Sequence, residues 1–395
     1  MAKKVQVARF EKSPVGKLVP IEGMDHLLGE RYSHFAFVPD PLPADIQLAA
    51  RSVKVLEDAA RALGRLDSKI QLLPNPNLLV RPSLRKEAVS TTALEGTFAP
   101  LSEALGADYV DEQRQSAEIR EVMNYVRAAT QSMHMLNELP ICLKMLSTLQ
   151  ATLVRGTRGD AYDAGQLRQR QVCIGQQGRG VEASRFVPPP NGDILVAGMS
   201  DWEKWVNASD DLPLLVKVAL AHYQFETLHP FSDGNGRLGR LIITLQLMQA
   251  GALKYPILNL SPWLEPRREQ YIDHLLEVSA TGNFEPWINF FCQAVVARAD
   301  AATETIAAML DIREEFADQL RAVGASGMVL QLASDLIGFP YISAGEAADL
   351  YGVAYPTANN AIAKLAKLGI LEEITGREYR RVFRCPRVYE IIARA

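Results

Sequence analysis

His229-Pro230-Phe231-Ser232-Asp233-Gly234-Asn235-Gly236-Arg237-Leu238-Gly239-Arg240 is the stretch on which the reading of the chain turns. It crowds an imidazole, a carboxylate, an amide, three glycines and two guanidiniums between apolar, helix-like segments at 214–228 and 241–250. A dense polar loop between buried helices costs stability, so a ligand is the better explanation for it than architecture. Gly234, Gly236 and Gly239 formally satisfy the G-x-G-x-x-G dinucleotide fingerprint. The context is wrong for it, since a helix precedes the loop and no strand or acidic residue follows at the required distance. An anion cradle fits better. Glycines let backbone N–H groups approach phosphate oxygens, and the loop opens into a helix N-terminus. Arg237 and Arg240 are three apart and share a helix face, which suits a polyphosphate. Asp233 is a hard oxygen ligand for Mg²⁺. His229 titrates nearest neutrality and is the natural general base.

Outward from the loop, the chain reads as mostly helical. Residues 1 to about 40 look irregular, with Pro14 and Pro20 and the turn-rich Val38-Pro39-Asp40-Pro41-Leu42-Pro43. Apolar spacing predicts helices over 44–66, over 81–94 with Gly96 as C-cap, over 113–130, and over 140–155 with Pro140 in the first turn. Residues 170–190 hold β-formers around Gly175-Gln176-Gln177-Gly178-Arg179-Gly180 and predict a β-hairpin. Helices resume from Met199. The 214–228 helix is apolar on nearly all faces and should be buried. Others follow at 237–250 (with Gly251 just beyond), 271–279 and 287–310, then a charged helical connector at 313–325. The last segment has a different character: helix 343–350, turn 351–354, helix 355–365, then strands 370–375 and 379–384 around Gly376-Arg377-Glu378. That order is the sequence shape of a winged helix.

Composition narrows the class. With 48% hydrophobic and 22% charged residues, the chain is that of an ordinary globular protein. Its net charge of -4 gives no sign of a global nucleic-acid binder. Cys142, Cys173, Cys292 and Cys385 are scattered, which argues against a zinc site or disulfide framework and fits a reducing cytoplasm. No apolar run approaches the ~18 residues of a membrane span, and Met1-Ala2-Lys3-Lys4-Val5-Gln6 is followed by no signal-peptide apolar region. His222 reads as a buried core histidine. His26, His34, His134 and His274 have no cluster around them.

Residues 229–240 resemble the signature of the Fic family, H-P-F-x-[D/E]-G-N-G-R-x-x-R, and match every defined place. The resemblance implies a protein adenylyltransferase, transferring AMP from ATP to a Ser, Thr or Tyr hydroxyl of a protein and releasing pyrophosphate. It implies that His229 deprotonates the hydroxyl and Asp233 holds Mg²⁺. It further implies that Gly234, Asn235 and Gly236 form the anion hole, with Leu238 and Gly239 in the same nucleotide-binding turn. Arg237 then supports the β-phosphate and Arg240 meets the γ-phosphate.

Thr91-Thr92-Ala93-Leu94-Glu95-Gly96 matches [S/T]-x-x-x-E-[G/N], which resembles the family's inhibitory helix, here about 85–96. Thr91, Glu95 and Gly96 are its defined positions. The resemblance implies that Glu95 pairs with Arg240 in the place of the γ-phosphate. It also implies a target-docking flap at Val172, Cys173, Ile174 and Gly175, and places Trp263 near the adenine. The fold class expected is mainly α: a Fic-type helical core with a small β-hairpin flap and a C-terminal winged-helix domain. The expected divisions are an N-terminal helical region at 1–100, the core at 101–310, a connector at 311–325 and the winged helix at 326–395. Expected partners are a target protein and the chain itself, with a homodimer allowed and no membrane. The rival reading is a DNA-binding regulator acting through 341–387, on account of Arg377, Arg380, Arg381, Arg384 and Arg387.

Overall fold

The computed structural model describes residues 7–25, 29–175 and 180–394. His26, the segment 1–6 and residues 176–179, on which part of the expected hairpin falls, lie outside the described residues. The chain opens on two paired strands, β1 (Gly16–Asp25) and β2 (Glu30–Pro39), in register from Gly16 opposite Pro39 to Asp25 opposite Glu30. This corrects the irregular segment expected for residues 1–40. The period-two pairs Val19/Ile21 and Phe35/Phe37 are the strand signal. Prolines mask it, but among the described residues β1 pairs only with β2, and such an edge strand tolerates Pro20.

Helix α1 (Ala50–Ile70) starts six residues later than its periodicity suggests. Its N-terminus is capped from outside: Glu285 Oε1 accepts from the Ala49 N–H at 2.9 Å and from the Ser52 hydroxyl at 2.6 Å. Helix α2 (Asn77–Leu94) contains Pro82 and stops at Glu95 and Gly96, the glycine at φ +86°. Helices α3 (Leu101–Gly106), α4 (Ala117–Leu136) and α5 (Leu143–Val154) follow. Pro140 lies outside α5, because Glu203 Oε2 takes the Leu143 N–H at 2.7 Å and fixes the helix start there. The expected 170–190 hairpin is real but small: β3 (Ile174–Gly175) pairs with β4 (Ser184–Phe186). Just beyond β4, the Val187 carbonyl accepts from the Phe37 N–H at 2.9 Å, joining this flap to β2. Phe10, Phe37 and Phe186 pack together beneath that junction.

Helices α6 (Asp193–Asn207), α7 (Leu214–Leu228) and α8 (Asn235–Gln249) form the centre. Helix α7 is apolar all round because it serves two cores. Leu215, Val218 and Ala219 face the cluster shared with α1 and the helices that follow α8. Ala221, Phe225 and Leu228 face the one built from α4, α5, α6 and α8. Beyond α8 come α9 (Ser261–Leu264), α10 (Arg268–Thr281) and α11 (Glu285–Ala322), which packs along α1 and continues as helix into the expected helical connector as far as Ala322.

The C-terminal part holds α12 (Met328–Asp335), β5 (Tyr341–Ser343), α13 (Ala344–Tyr351), α14 (Tyr355–Lys367), β6 (Glu372–Glu373), β7 (Val382–Arg384) and α15 (Pro386–Arg394). Its strands order β5-β7-β6, shorter than the sequence pattern suggests but in the expected sequence of helix, turn, helix and hairpin. Gly352 at φ +61° makes the turn between α13 and α14.

Candidate active site

The signature loop joins α7 to α8. His229 is the C-cap of α7, and its backbone is left-handed at φ 47° and ψ 62°. A side chain in that region costs of order 1–3 kcal/mol and persists only where the surroundings impose it. Here they do. Arg168, fully buried, sends its Nε to the His229 carbonyl at 2.9 Å and its Nη1 to the Arg170 carbonyl at 3.2 Å, with Nη2 on the Pro189 carbonyl. Asn235 clasps the same loop: its Oδ1 accepts from the Phe231 N–H at 2.9 Å and its Nδ2 donates to the Phe231 carbonyl at 2.7 Å. The Asn235 side chain is therefore committed to the loop, and only its backbone is left for an anion. Gln150 Nε2 donates to the Asp233 carbonyl at 3.0 Å, and the Ser232 hydroxyl donates to Asp163 at 2.6 Å. Gly234, at φ +85°, takes the N-cap position of α8, so the first N–H groups of that helix open toward the loop.

One cavity collects the chemistry. His229, Gly236, Arg240, Glu95, Glu226, Arg268, Tyr271 and Phe186 line it together with Ile174 of the flap. His229 Nδ1 sits 3.4 Å from the Glu226 carbonyl, which assigns the proton to Nδ1 and leaves Nε2 as the acceptor. Burial, with the nearby Arg168 charge, holds the imidazole at a pKa of about 4, so it is neutral at physiological pH.

Arg240, whose side chain is 2% exposed, donates through Nη2 to Glu95 Oε1 at 2.6 Å. The same guanidinium meets Thr91 twice, Nε to Oγ1 at 2.6 Å and Nη2 to the carbonyl at 3.0 Å. Burial alone would raise the Glu95 carboxyl, but Arg240 outweighs it and keeps the group ionised. Gly236 is required for this arrangement, since a Cβ there would meet Glu95 Oε1 at 2.2 Å.

The second arginine faces elsewhere. Arg237 Nη2 reaches Asp233 Oδ1 at 2.8 Å, and Nη1 lies 3.4 Å from Glu121 Oε2. Glu121 also accepts from the Thr97 hydroxyl at 2.9 Å, tying the segment after α2 to this cluster. Leu238 is core, and Gly239 leaves room for Glu226, whose Oε1 would lie 2.3 Å from a Cβ at that position. Val172 and Cys173 are half-buried behind Ile174, and Gly175 pairs with Ser184.

Trp263 is not brought to the cavity. It packs edge-on against Phe290 at 4.9 Å with the Arg267 guanidinium over its ring. Tyr271, Ile272, Leu275 and Leu276 supply the wall instead. His222 is a satisfied core histidine as expected, between the Tyr271 hydroxyl at 2.7 Å and the Gly239 carbonyl at 3.2 Å.

Sequence reasoning missed Glu226, Arg268, Arg168 and Glu121. Glu226 had a signal, because only it and Lys217 are charged in the α7 sequence. Its Oε1 is buried without a partner among the described residues, and burial pushes its pKa to about 8. The others are far from the motif in sequence and carry no local signal. In the C-terminal part, Arg384 pairs with Glu372 and Arg387 with Glu315, and Arg381 leans on Asn359 at 3.4 Å.

The architecture and the loop together define a helical Fic-type fold with its signature site. Residues 53–134 match the family model described as Fic/DOC family N-terminal, and residues 140–247 match that of the Fic/DOC family. Over these residues the chain is of the Fic family. It is similar to a Fic family protein structure from Desulfovibrio desulfuricans, at a TM-score of 0.56 and 20% identity over 87% of this chain and 98% of that one. It is 27% identical to the protein adenylyltransferase Fic of Drosophila grimshawi over 74% of this chain and 58% of that protein. The corresponding protein of Culex quinquefasciatus is 34% identical over 33% of this chain and 23% of its own length. The chain spans about half the length of the curated relatives it matches. No helix among the described residues is long and apolar enough to cross a membrane.

Proposed function

We propose that this protein transfers AMP from ATP to a hydroxyl of a protein, and that the conformation described is its restrained state. The observation that carries the reading is the Glu95–Arg240 pair, set in one cavity with a neutral His229. The names of the curated relatives point the same way.

In this reading His229 Nε2 takes the proton of the acceptor hydroxyl as its oxygen attacks the α-phosphorus, and pyrophosphate leaves. The backbone N–H groups at 234–236 and the Arg240 guanidinium hold the phosphates in line, which is where most of the rate should come from. A flap strand at Ile174 and Gly175 offers its edge to the target backbone. Asp233 fits a Mg²⁺ ion. Its Oδ1 is engaged by Arg237, its Oδ2 has no partner among the described residues, and the side chain is 34% exposed. Phosphate oxygens and water would complete the shell, and the ion would neutralise phosphate charge. Four free thiols agree with a cytoplasmic setting. The DNA-binding alternative draws less support, since two of the five wing-region arginines are spent on internal ion pairs.

The test is the Glu95→Gly protein incubated with Mg²⁺ and each nucleoside triphosphate, reading the mass added to the chain. The expected result is one AMP increment from ATP, abolished by His229→Ala. A folded Glu95→Gly protein that adds no AMP overturns the proposal.

A further inference from the structure

One route to freeing Glu95 is departure of the whole of α2. The packing of α2 does not permit that. Eleven of its residues are buried, from Leu79 to Leu94. Ser83 bonds Asn259 at 3.2 Å, Glu87 bonds the Ser261 hydroxyl and its N–H, and Lys86 Nζ donates to the Ile392 carbonyl at 2.7 Å. Pulling the helix out would expose a core face and orphan these groups, so any movement of Glu95 is confined to the last turn.

That turn ends in a glycine cap. Gly96 is left-handed, its N–H bonds the Ala93 carbonyl at 2.9 Å, and the Thr97 N–H bonds the Thr92 carbonyl at 3.0 Å. Two carbonyls remain beyond those the cap uses. The Leu94 carbonyl accepts from Arg268 Nε at 2.8 Å, and the Glu95 carbonyl from Arg158 Nη2 at 3.4 Å. Arg268 begins α10 and reaches this carbonyl across 174 residues of sequence. Its Nη1 is held by Glu269 at 3.0 Å, and Glu269 in turn accepts from Arg185 of the flap strand at 2.7 Å. A guanidinium at a helix C-terminus satisfies an orphan carbonyl and meets the negative end of the dipole.

We propose that Arg268 is a positioning residue for autoinhibition: by capping α2 at Leu94 it fixes the backbone from which Glu95 reaches Arg240. The inference rests on the proposed AMP transfer. Without Arg268 the last turn frays, Glu95 spends less time on Arg240, and nucleotide phosphates gain access. On inhibition Arg268 acts through Glu95, so its removal relieves nothing once Glu95 is gone.

The experiment is a double-mutant cycle on the full chain, Arg268→Ala with and without Glu95→Gly, measured with Mg²⁺-ATP. Alone, Arg268→Ala raises AMP incorporation about fivefold, at the low end for couplings of this kind. Amide exchange at residues 92–97 quickens as well. In the Glu95→Gly background, where no inhibition is left to lose, the same change gives no further rise in incorporation. Arg268→Lys, which can still donate to the Leu94 carbonyl, keeps incorporation low, and serves if the alanine variant folds poorly. The inference is overturned if Arg268→Ala raises incorporation as much in the Glu95→Gly background as it does alone. It is equally overturned if exchange at 92–97 is unchanged. Should Glu95→Gly itself add no AMP, the functional reading fails, while the exchange measurement still decides the cap.

Discussion

Thr91 gives Arg240 both of its oxygens: the hydroxyl takes Nε at 2.6 Å and the carbonyl takes Nη2 at 3.0 Å. The guanidinium is thus aimed at Glu95 by the helix that carries Glu95. A hydrogen bond to a charged group contributes about 1.5–3 kcal/mol, and an orphaned buried donor costs a similar amount. Thr91→Ala should therefore loosen inhibition and raise AMP incorporation roughly tenfold, less than Glu95→Gly does. Thr91→Ser should leave it low. Equal incorporation by the alanine and serine proteins would show that the hydroxyl is not what aims Arg240.

Arg168 serves the loop from behind, with one guanidinium shared among the carbonyls of His229, Arg170 and Pro189. Arg168→Ala leaves buried acceptors unpaired and should cost about 2–4 kcal/mol in urea unfolding. Arg168→Lys should recover little, because a single ammonium cannot span three carbonyls as the planar fork does. A lysine variant of wild-type stability would remove this account.

Asn235 holds the Phe231 backbone through both ends of its amide. Asn235→Asp keeps an acceptor for the Phe231 N–H but turns the donor into a second acceptor facing a carbonyl. We expect about 2 kcal/mol of lost stability. In the Glu95→Gly background, kcat should fall by more than the KM for ATP rises, since His229 loses its setting. Isothermal titration with ATP and steady-state rates separate the two effects.

The histidines set an acid limit. Burial lowers His222 to about 3 and His229 to about 4, against an ordinary value near 6.5. Between about pH 4 and 6.5 each binds a proton only in the unfolded chain, so the folded state gains stability as pH rises. That contribution is complete above about pH 6.5 and is lost as pH falls toward 4. Each such proton gives a slope of about 1.36 kcal/mol per pH unit. His222→Gln should be less stable overall, yet its stability should vary with pH by about one proton less across this window. Guanidinium titrations at pH 7, 6 and 5 would show an unchanged slope if His222 is not part of it.

The reach of sequence reasoning follows from the range of the forces involved. The signature loop, α7 and the place of Glu95 were legible because spacing along the chain sets them. Helix starts were less so. Ala50 and Leu143 begin helices because Glu285 and Glu203, distant in sequence, supply the caps. The β1–β2 strands were hidden by prolines that an edge strand accommodates. Trp263 was placed near the nucleotide by analogy of position, but the ring is taken up by Phe290 and Arg267. Arg168 and Arg268 were invisible for one shared reason: each acts on a backbone carbonyl, and a carbonyl has no letter in the sequence.

Helix α11 runs 38 residues, from Glu285 beneath the first turn of α1 to Ala322 at the edge of the C-terminal part. At 1.5 Å per residue it is a rod about 57 Å long. Over 311–322, where a charged helical connector was expected, the helix continues, buried at Ile312, Phe316 and Leu320. A protease that nicks loose linkers should find no purchase there. One continuous backbone element thus joins the C-terminal part to α7, whose Ala219 carbonyl accepts from Trp287 Nε1 at 2.8 Å.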